Sequence, residues 1–439
     1  MKPNPFSFGN AVDSSKFLNR KKPLRRIARR LVTEGQSSAI IGEPRIGKTS
    51  FLSYLSAEEN STELYGNINK RIIFSSLDSH MFPQAFTPAQ FWEQALLPVK
   101  EQLIEPDLDS QLSKQYSICK ENQFGTFTLE AFFRVLRQDE GCLALLIDEF
   151  DALIHHSVLN SVEFFGGLRS ITSRSKGSLA LVIASRQPIH VLNAETQYIN
   201  TTGSPFFNIF SEITLGRFPK KDVVTLLRRG DQYFTPADRS AIDYVAGGHP
   251  YLLQVAASAL WEAYEDRIST PQKRWAYMGN QIYREQDWHF ADTWQVWTPA
   301  TRKAFTSVAL CNSQQLLPKR AIATKPFQKE LKNFFPELRD LAETGFIVED
   351  TQAEEGWRVE PQVMVWWLSD ELVRALRQGK ADQPFDQWLK AQEMENWLTQ
   401  QEKKMLVDFA QASGDILLKG VGKLIESFAE GLGKSWTGS

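Results

Sequence analysis

Nine consecutive residues, Gly42, Glu43, Pro44, Arg45, Ile46, Gly47, Lys48, Thr49 and Ser50, have the types and spacing of a phosphate grip. Glycines at the first and sixth positions let main-chain N–H groups curl around an anion, and a helix beginning there adds its positive end. Lys48 is placed to reach the β- and γ-phosphates of a nucleotide, ATP or ADP, and the Thr49 hydroxyl to hold Mg²⁺. Pro44 stiffens the loop and Arg45 adds charge. The flanks strengthen the reading: an apolar run at 38–42 precedes the loop and a helical pattern follows it, as the mechanism requires.

Further along, the apolar stretch LALLIDEFD ends in Asp148 and Glu149. An acid at the tip of a strand beside the loop orients Mg²⁺ through its waters, and a second acid polarises the attacking water. Asp148 is therefore the metal candidate and Glu149 the candidate base. Two carboxylates in such a place also suit a helix cap, and it is the phosphate loop that turns them toward chemistry. The next apolar run ends in IASRQP, so Ser185 and Arg186 should emerge on the same sheet edge. Arg186 could touch the γ-phosphate there and report its presence, or be only a surface arginine at a strand end.

The elements that must carry these groups are five short apolar runs, 38–42, 71–77, 143–148, 179–184 and 212–215, alternating with helical patterns. Runs apolar on both faces and spaced by helices predict an α/β domain with a parallel sheet covered on both sides. Residues 78–141 read as a long polar insertion with helices near 88–104 and 128–138. Ahead of the sheet, an irregular arm (1–19) leads into a helix opening at Pro23, with Leu24, Ile27, Ala28 and Leu31 on one stripe. Its other face carries Arg25, Arg26, Arg29 and Arg30, either a solvated surface or a contact for phosphate or a partner.

Beyond residue 218 helices take over. Thr298 and Pro299 open one helix, two shorter ones follow with the second ending at Gly345, and FIVED and WRVEPQVMVWWL bracket a polar turn as a hairpin would. This order suggests a winged helix. Its third helix, PELRDLAE, sets Glu337, Asp340 and Glu343 against Arg339 alone, the wrong sign for DNA. From Asp415 to Trp436, Leu417, Val421, Leu424, Ile425, Phe428 and Leu432 form an apolar stripe that must be covered by the body, a partner protein or second copy, or a membrane surface.

Fifty basic against fifty-two acidic side chains, a net charge of −2, exclude a global attraction to nucleic acid or anionic membrane. Three separated cysteines suggest neither disulfides nor zinc, and no run is long and apolar enough to span a bilayer, so a cytoplasmic location is expected. None of the six histidines has metal-ligand spacing, and His155 and His156 read as surface-helix residues.

On GEPRIGKTS, LLIDEFD, IASR and GGHPYLL (247–253), the chain resembles the AAA-like P-loop ATPases with an additional strand, and within them the STAND group of bacterial and archaeal signalling ATPases. The resemblance covers about residues 5 to 370. It implies an ATPase core (36–217) after the arm and basic helix (1–35), then a helical lid (218–290), a winged helix (291–378) and a helical tail (379–439). It also implies Mg-dependent, slow ATP hydrolysis and a nucleotide-dependent homo-oligomer acting as a switch in defence or regulation. Pro250 would pack near the nucleotide base. GGHP has a local explanation too, since Gly247 and Gly248 stop one helix and Pro250 starts the next. FLNRKKPL departs from the group's Phe-x-Gly-Arg-x-x-Glu pattern at Asn19, where the pattern has glycine. The alternative function is a DNA-associated ATPase of the origin-recognition or transposition-regulator kind that uses the basic helix.

Overall fold

The computed structural model describes residues 3–18, 20–66, 71–196, 205–312, 325–351, 353, 355–378, 385–419 and 425. The chain divides into two compact units, one from Ala11 to Leu215 and the other combining the residues up to Asn10 with those from Gly216 onward.

The first unit is an α/β sandwich. Its strands β1 (Ser38–Ile41), β2 (Arg71–Asp78), β3 (Gly141–Asp148), β4 (Leu179–Ser185) and β5 (Ser211–Thr214) form one sheet in the order β2-β3-β4-β1-β5. Every pair is parallel, and all five expected runs are strands. The strand β4 lies between the loop strand β1 and the acid strand β3. Register brings Asp78 level with Asp148 and Ile41 level with Ser185, so the strand ends that carry the candidate residues share the carboxyl edge of the sheet, where open parallel sheets bind ligands.

Alternation along each strand feeds two cores. One face sends Ile41, Leu145, Ile147 and Ile183 against aromatic side chains including Phe91, Trp92, Phe132 and Phe165. The opposite face sends Ile40, Leu146 and Val182 against Phe51, Leu55 and the helix α1 (Lys21–Glu34). That helix buries all four residues of its predicted stripe, and full burial of Leu24, Ile27 and Leu31 contributes roughly 1.5–3 kcal/mol each. Helix α2 (Lys48–Ser56) follows the phosphate loop.

The segment between β2 and β3 corrects the sequence reading. It is not a polar insertion but half of a core, because α3 (Pro88–Ala95), α4 (Gln111–Glu121) and α5 (Thr126–Gln138) turn their aromatic and aliphatic side chains inward. Helix α4 was not foreseen. Its apolar positions are few, and its Ser110 cap is a weak signal alone. Helix α6 (Val162–Arg174) closes this side.

The second unit is helical: α7 (Lys220–Leu227), α8 (Pro236–Ala246), α9 (Pro250–Glu265), α10 (Pro271–Val296), α11 (Pro299–Cys311), α12 (Lys325–Leu331) and α13 (Phe335–Thr344) precede an antiparallel hairpin of β6 (Ile347–Glu349) and β7 (Trp357–Val359). Thr298 caps α11, and Gly345 at φ 95° ends α13, as expected. The hairpin strand stops at Val359, however, and QVMVWWL belongs to helix α14 (Gln362–Gln378). A short, continuous apolar run does not distinguish a buried strand from a buried helix. Here Val363 through Leu368 are buried all round the helix, so periodicity gave no sign of it. The tail continues in α15 (Asp386–Ala391) and α16 (Gln400–Lys419). Most of the amphipathic stripe proposed for 415–436 lies outside the described residues.

Candidate phosphate-binding site

The loop from Gly42 to Gly47 leaves β1 under tight constraint. The Gly42 amide donates to the Ser185 carbonyl at 3.2 Å, tying the loop to β4. A Cβ at Gly42 would lie 2.8 Å from Ile46 Cγ2 and 2.9 Å from the Leu215 carbonyl oxygen, so a larger residue does not fit. Arg45 (φ 62°) and Gly47 (φ 98°) are left-handed, and such turns gather successive N–H groups into an anion-binding concavity.

Lys48, only 4% exposed, folds back so that Nζ donates to the Gly42 carbonyl at 2.9 Å and the Glu43 carbonyl at 3.2 Å. Burial holds its pKa below the ordinary lysine value, against the opposing pull of Glu149, Asp151, Asp148 and Glu43. A desolvated ammonium with only carbonyl dipoles as direct partners gains from an arriving anion.

Across the edge, Thr49 Oγ1 donates to Asp148 Oδ2 at 2.6 Å, joining residues 99 positions apart. Hydroxyl and carboxylate oxygens are hard donors that suit Mg²⁺, which characteristically takes few protein ligands beside phosphate and water. Among the described residues no group of three or more His, Cys, Asp or Glu could hold a metal by itself.

Glu149 takes a left-handed backbone (φ 47°, ψ 46°), and its amide donates to Asp148 Oδ1 at 3.0 Å. Its Oε2 lies 3.4 Å from Arg186 Nε and 3.8 Å from His80 Nε2. Glu149 Oε2 and Arg186 Nε are both buried atoms, and although they attract as ions neither makes a hydrogen bond. The Arg186 amide is fixed by Asp151 Oδ1 at 3.3 Å. The structure therefore brings Lys48, Thr49, Asp148, Glu149 and Arg186 to one edge. It adds His80 and Asp151, which sequence reasoning missed. Asp151 was visible inside the LLIDEFD motif, but His80 could be placed only by the β2–β3 register.

Ser50 sits differently from its neighbours in the loop. Its hydroxyl is buried and accepts from the Val12 amide at 3.0 Å, so its side chain faces the arm. Pro250 lies in the second unit as the first residue of α9, with Gly247 (φ 58°) capping α8. The glycines around it are steric necessities within that unit. A Cβ on Gly248 would lie 2.9 Å from the Phe218 carbonyl oxygen, one on Gly247 would lie 2.7 Å from Pro361 Cα, and one on Gly216 would collide with the Glu343 carbonyl. Arg217, lying against Gly345, pairs with Glu360.

The basic face of α1 is partly committed. Arg26 donates to Ser211 Oγ at 2.8 Å, and Arg30 donates to the Ser37 carbonyl at 2.7 Å and Ser38 Oγ at 3.0 Å, fastening the helix to the ends of β5 and β1. In the second unit a cavity of about 520 Å³ is lined by Lys325, Lys329, Lys332, Phe335 and Trp357 among others, a basic surface the acidic α13 did not foretell. His156 also corrects the reading. It is buried, its Nε2 lies 2.9 Å from the Pro83 carbonyl, and its Nδ1 accepts from the amides of Val158 and Leu159, so it braces two loops rather than facing solvent.

The model of a family described as an AAA-like domain matches residues 8–295. Among solved structures, a Walker-type ATPase of Pyrococcus abyssi is similar at 14% identity and TM-score 0.52, with 83% of this chain and 99% of that one covered. The Aeropyrum pernix ORC2 protein in ADPNP–ADP complexes aligns at 12% identity and TM-score 0.45, covering 80% and 94%. Drosophila ORC bound to DNA aligns at 12% identity and TM-score 0.41, covering 81% and 88%. The first supports the fold; the other two are too distant to carry an argument. No curated protein matches the chain. No helix of the described residues is long and apolar enough to cross a membrane.

Proposed function

Since this chain belongs to the AAA-like domain family, we propose that it binds ATP with Mg²⁺ on the loop 42–50, hydrolyses it slowly, and works as a STAND-like switch. The observation that carries the reading is the convergence of buried Lys48, the Thr49–Asp148 pair at 2.6 Å and the Glu149–Arg186 pair at 3.4 Å on one sheet edge. Loop amides and Lys48 bind the phosphates, and Thr49 with Asp148 would hold Mg²⁺, whose charge offsets that of the β- and γ-oxygens. Glu149 accepts a proton from water as the water oxygen bonds to the γ-phosphorus. The bridging bond then breaks, and ADP leaves with its electron pair.

Arg186 Nε lies 3.4 Å from the carboxylate that acts as base. The unbonded state of Glu149 Oε2 and Arg186 Nε supports a pair that a γ-phosphate oxygen and a water can separate. A nucleotide shifts a conformational equilibrium only through its differential contacts, and near-complete switching needs about 5.5 kcal/mol. Arg186, Mg²⁺ and the lid (218–290) with its Pro250 are the candidates to supply it. The winged-helix assignment of 291–378, a homo-oligomeric active form, a protein partner for the C-terminal stripe, and a role in defence or regulation belong to the same reading.

Purified protein incubated with ATP and Mg²⁺ tests it. Release of phosphate and a change of oligomer size between ADP and a slowly hydrolysed ATP analogue are expected. Indifference to every nucleotide would end the reading. A second reading, a DNA-associated ATPase, draws on exposed Arg25 and Arg29 and on the lysine-lined cavity of the second unit. It predicts salt-dependent duplex binding lost on reversing those charges.

A further inference from the structure

We propose that residues 11–18, together with Arg20, form a strap whose docking sets the shape of the phosphate loop, with Arg20 as the positioning residue; the proposal rests on the nucleotide reading above. The strap is tied at four points, each on the loop or just after it. The Val12 amide donates to Ser50 Oγ at 3.0 Å, Asn60 Nδ2 donates to Ser14 Oγ at 3.3 Å, and the Phe17 ring stacks on Tyr54 at 4.4 Å. The fourth tie is the buried guanidinium of Arg20, whose Nη2 donates to the Ile46 carbonyl at 3.3 Å.

The choice of that carbonyl is informative. Ile46 lies between left-handed Arg45 and Gly47, the geometry that turns amides into the concave side of the loop. A loop that gathers its amides must direct carbonyls elsewhere, and a buried carbonyl without a donor is costly. Lys48 serves the carbonyls of Gly42 and Glu43, and Arg20 serves that of Ile46. Arg20 itself takes a left-handed backbone (φ 65°), a conformation rarely held unless its surroundings impose it. Its bond is to the loop, and it acts through the loop. When the strap is released, only the fraction of molecules with a formed loop binds ATP well, so apparent affinity falls with that fraction, and ATP in turn tightens the strap.

The test compares wild type with Arg20→Ala, Arg20→Lys and Phe17→Ala by calorimetric titration with ATP and Mg²⁺, and by hydrogen exchange of residues 12–18. Arg20→Ala should weaken ATP binding about tenfold or more, the effect of losing a charge-assisted hydrogen bond. Arg20→Lys should recover part of this, since one ammonium can still reach one carbonyl. Phe17→Ala, which leaves the loop untouched, should weaken binding about severalfold by lowering the docked fraction, and it carries the test if Arg20→Ala does not fold. ATP should slow exchange in the wild-type strap and not in Arg20→Ala. Wild-type ATP affinity in both Arg20→Ala and Phe17→Ala, with strap exchange unmoved by ATP, would overturn the proposal alone. A wild-type protein that binds no nucleotide would overturn it together with the reading beneath it.

Discussion

Replacing Lys48 by alanine gives a prediction whose size follows from the geometry. The ammonium is 4% exposed and makes two bonds to loop carbonyls, at 2.9 and 3.2 Å, both of which it can exchange for phosphate oxygens. Charge-assisted hydrogen bonds contribute about 1.5–3 kcal/mol each, so two are worth about 3–6 kcal/mol. At tenfold per 1.4 kcal/mol, ATP affinity should fall by about 10²–10⁴. Titration calorimetry with Mg²⁺ reads this directly. The cost to folding should be smaller than the cost to binding, because burial works against the charged form of this lysine even though the Gly42 and Glu43 carbonyls lose their donor. With the folded pKa depressed below 10.5, the unfolded chain binds the extra proton in the window just under 10.5, so stability from this group rises with pH there. The penalty is complete at pH values below the folded pKa, and Lys48→Ala removes both the penalty and the rise. An affinity loss smaller than tenfold would refute the assignment of Lys48 as a phosphate ligand.

Glu149→Gln should bind ATP about as well as wild type while turnover drops by roughly 10²–10⁴, read by single-turnover phosphate release; normal turnover would require another base. Arg186→Ala should lessen the preference for ATP over ADP by about tenfold, measured as the ratio of their dissociation constants, as expected for one charged contact to the γ-phosphate. Asp238 is fully buried and accepts from the Thr235 amide at 2.8 Å, Tyr264 Oη at 2.6 Å and Trp275 Nε1 at 2.8 Å. Asp238→Ala strands these donors and should cost about 3 kcal/mol or more in urea unfolding. The Cys119 thiol, pushed up to about 11 by burial, should resist thiol reagents at pH 8 in the folded protein. It ionises near 9.0 when unfolded and near 11 when folded, so its contribution to stability is present below pH 9 and lost as pH rises toward 11.

Much of the candidate site was legible because its residues sit where strands end. The apolar runs gave the sheet, and the motifs at their tips gave Lys48, Thr49, Asp148, Glu149 and Arg186 a shared edge once the order of strands was guessed. What stayed hidden depends on distance in space rather than along the chain. His80 meets Glu149 only because β2 pairs with β3 in register, and Arg20 meets Ile46 where Val12 and Phe17 hold the preceding segment to Ser50 and Tyr54 of α2. The basic helix was read correctly as amphipathic, yet that Arg26 and Arg30 fasten it to strand ends could not be inferred from a charge pattern. QVMVWWL escaped because a run buried on every side has no period.

The glycines around Pro250 mark where close packing leaves the backbone no room for a side chain. The Leu215 amide still donates to the Ile41 carbonyl at 2.7 Å, as though the sheet had one more residue. At Gly216 the backbone is already pressed so closely on residue 343 that no side chain fits, and Phe218 is hydrogen-bonded to Gly248 at 2.8 Å. A residue with a side chain at 216 would have to push aside the main chain at 343, so Gly216→Ala should loosen the second unit by itself, whatever the first unit binds.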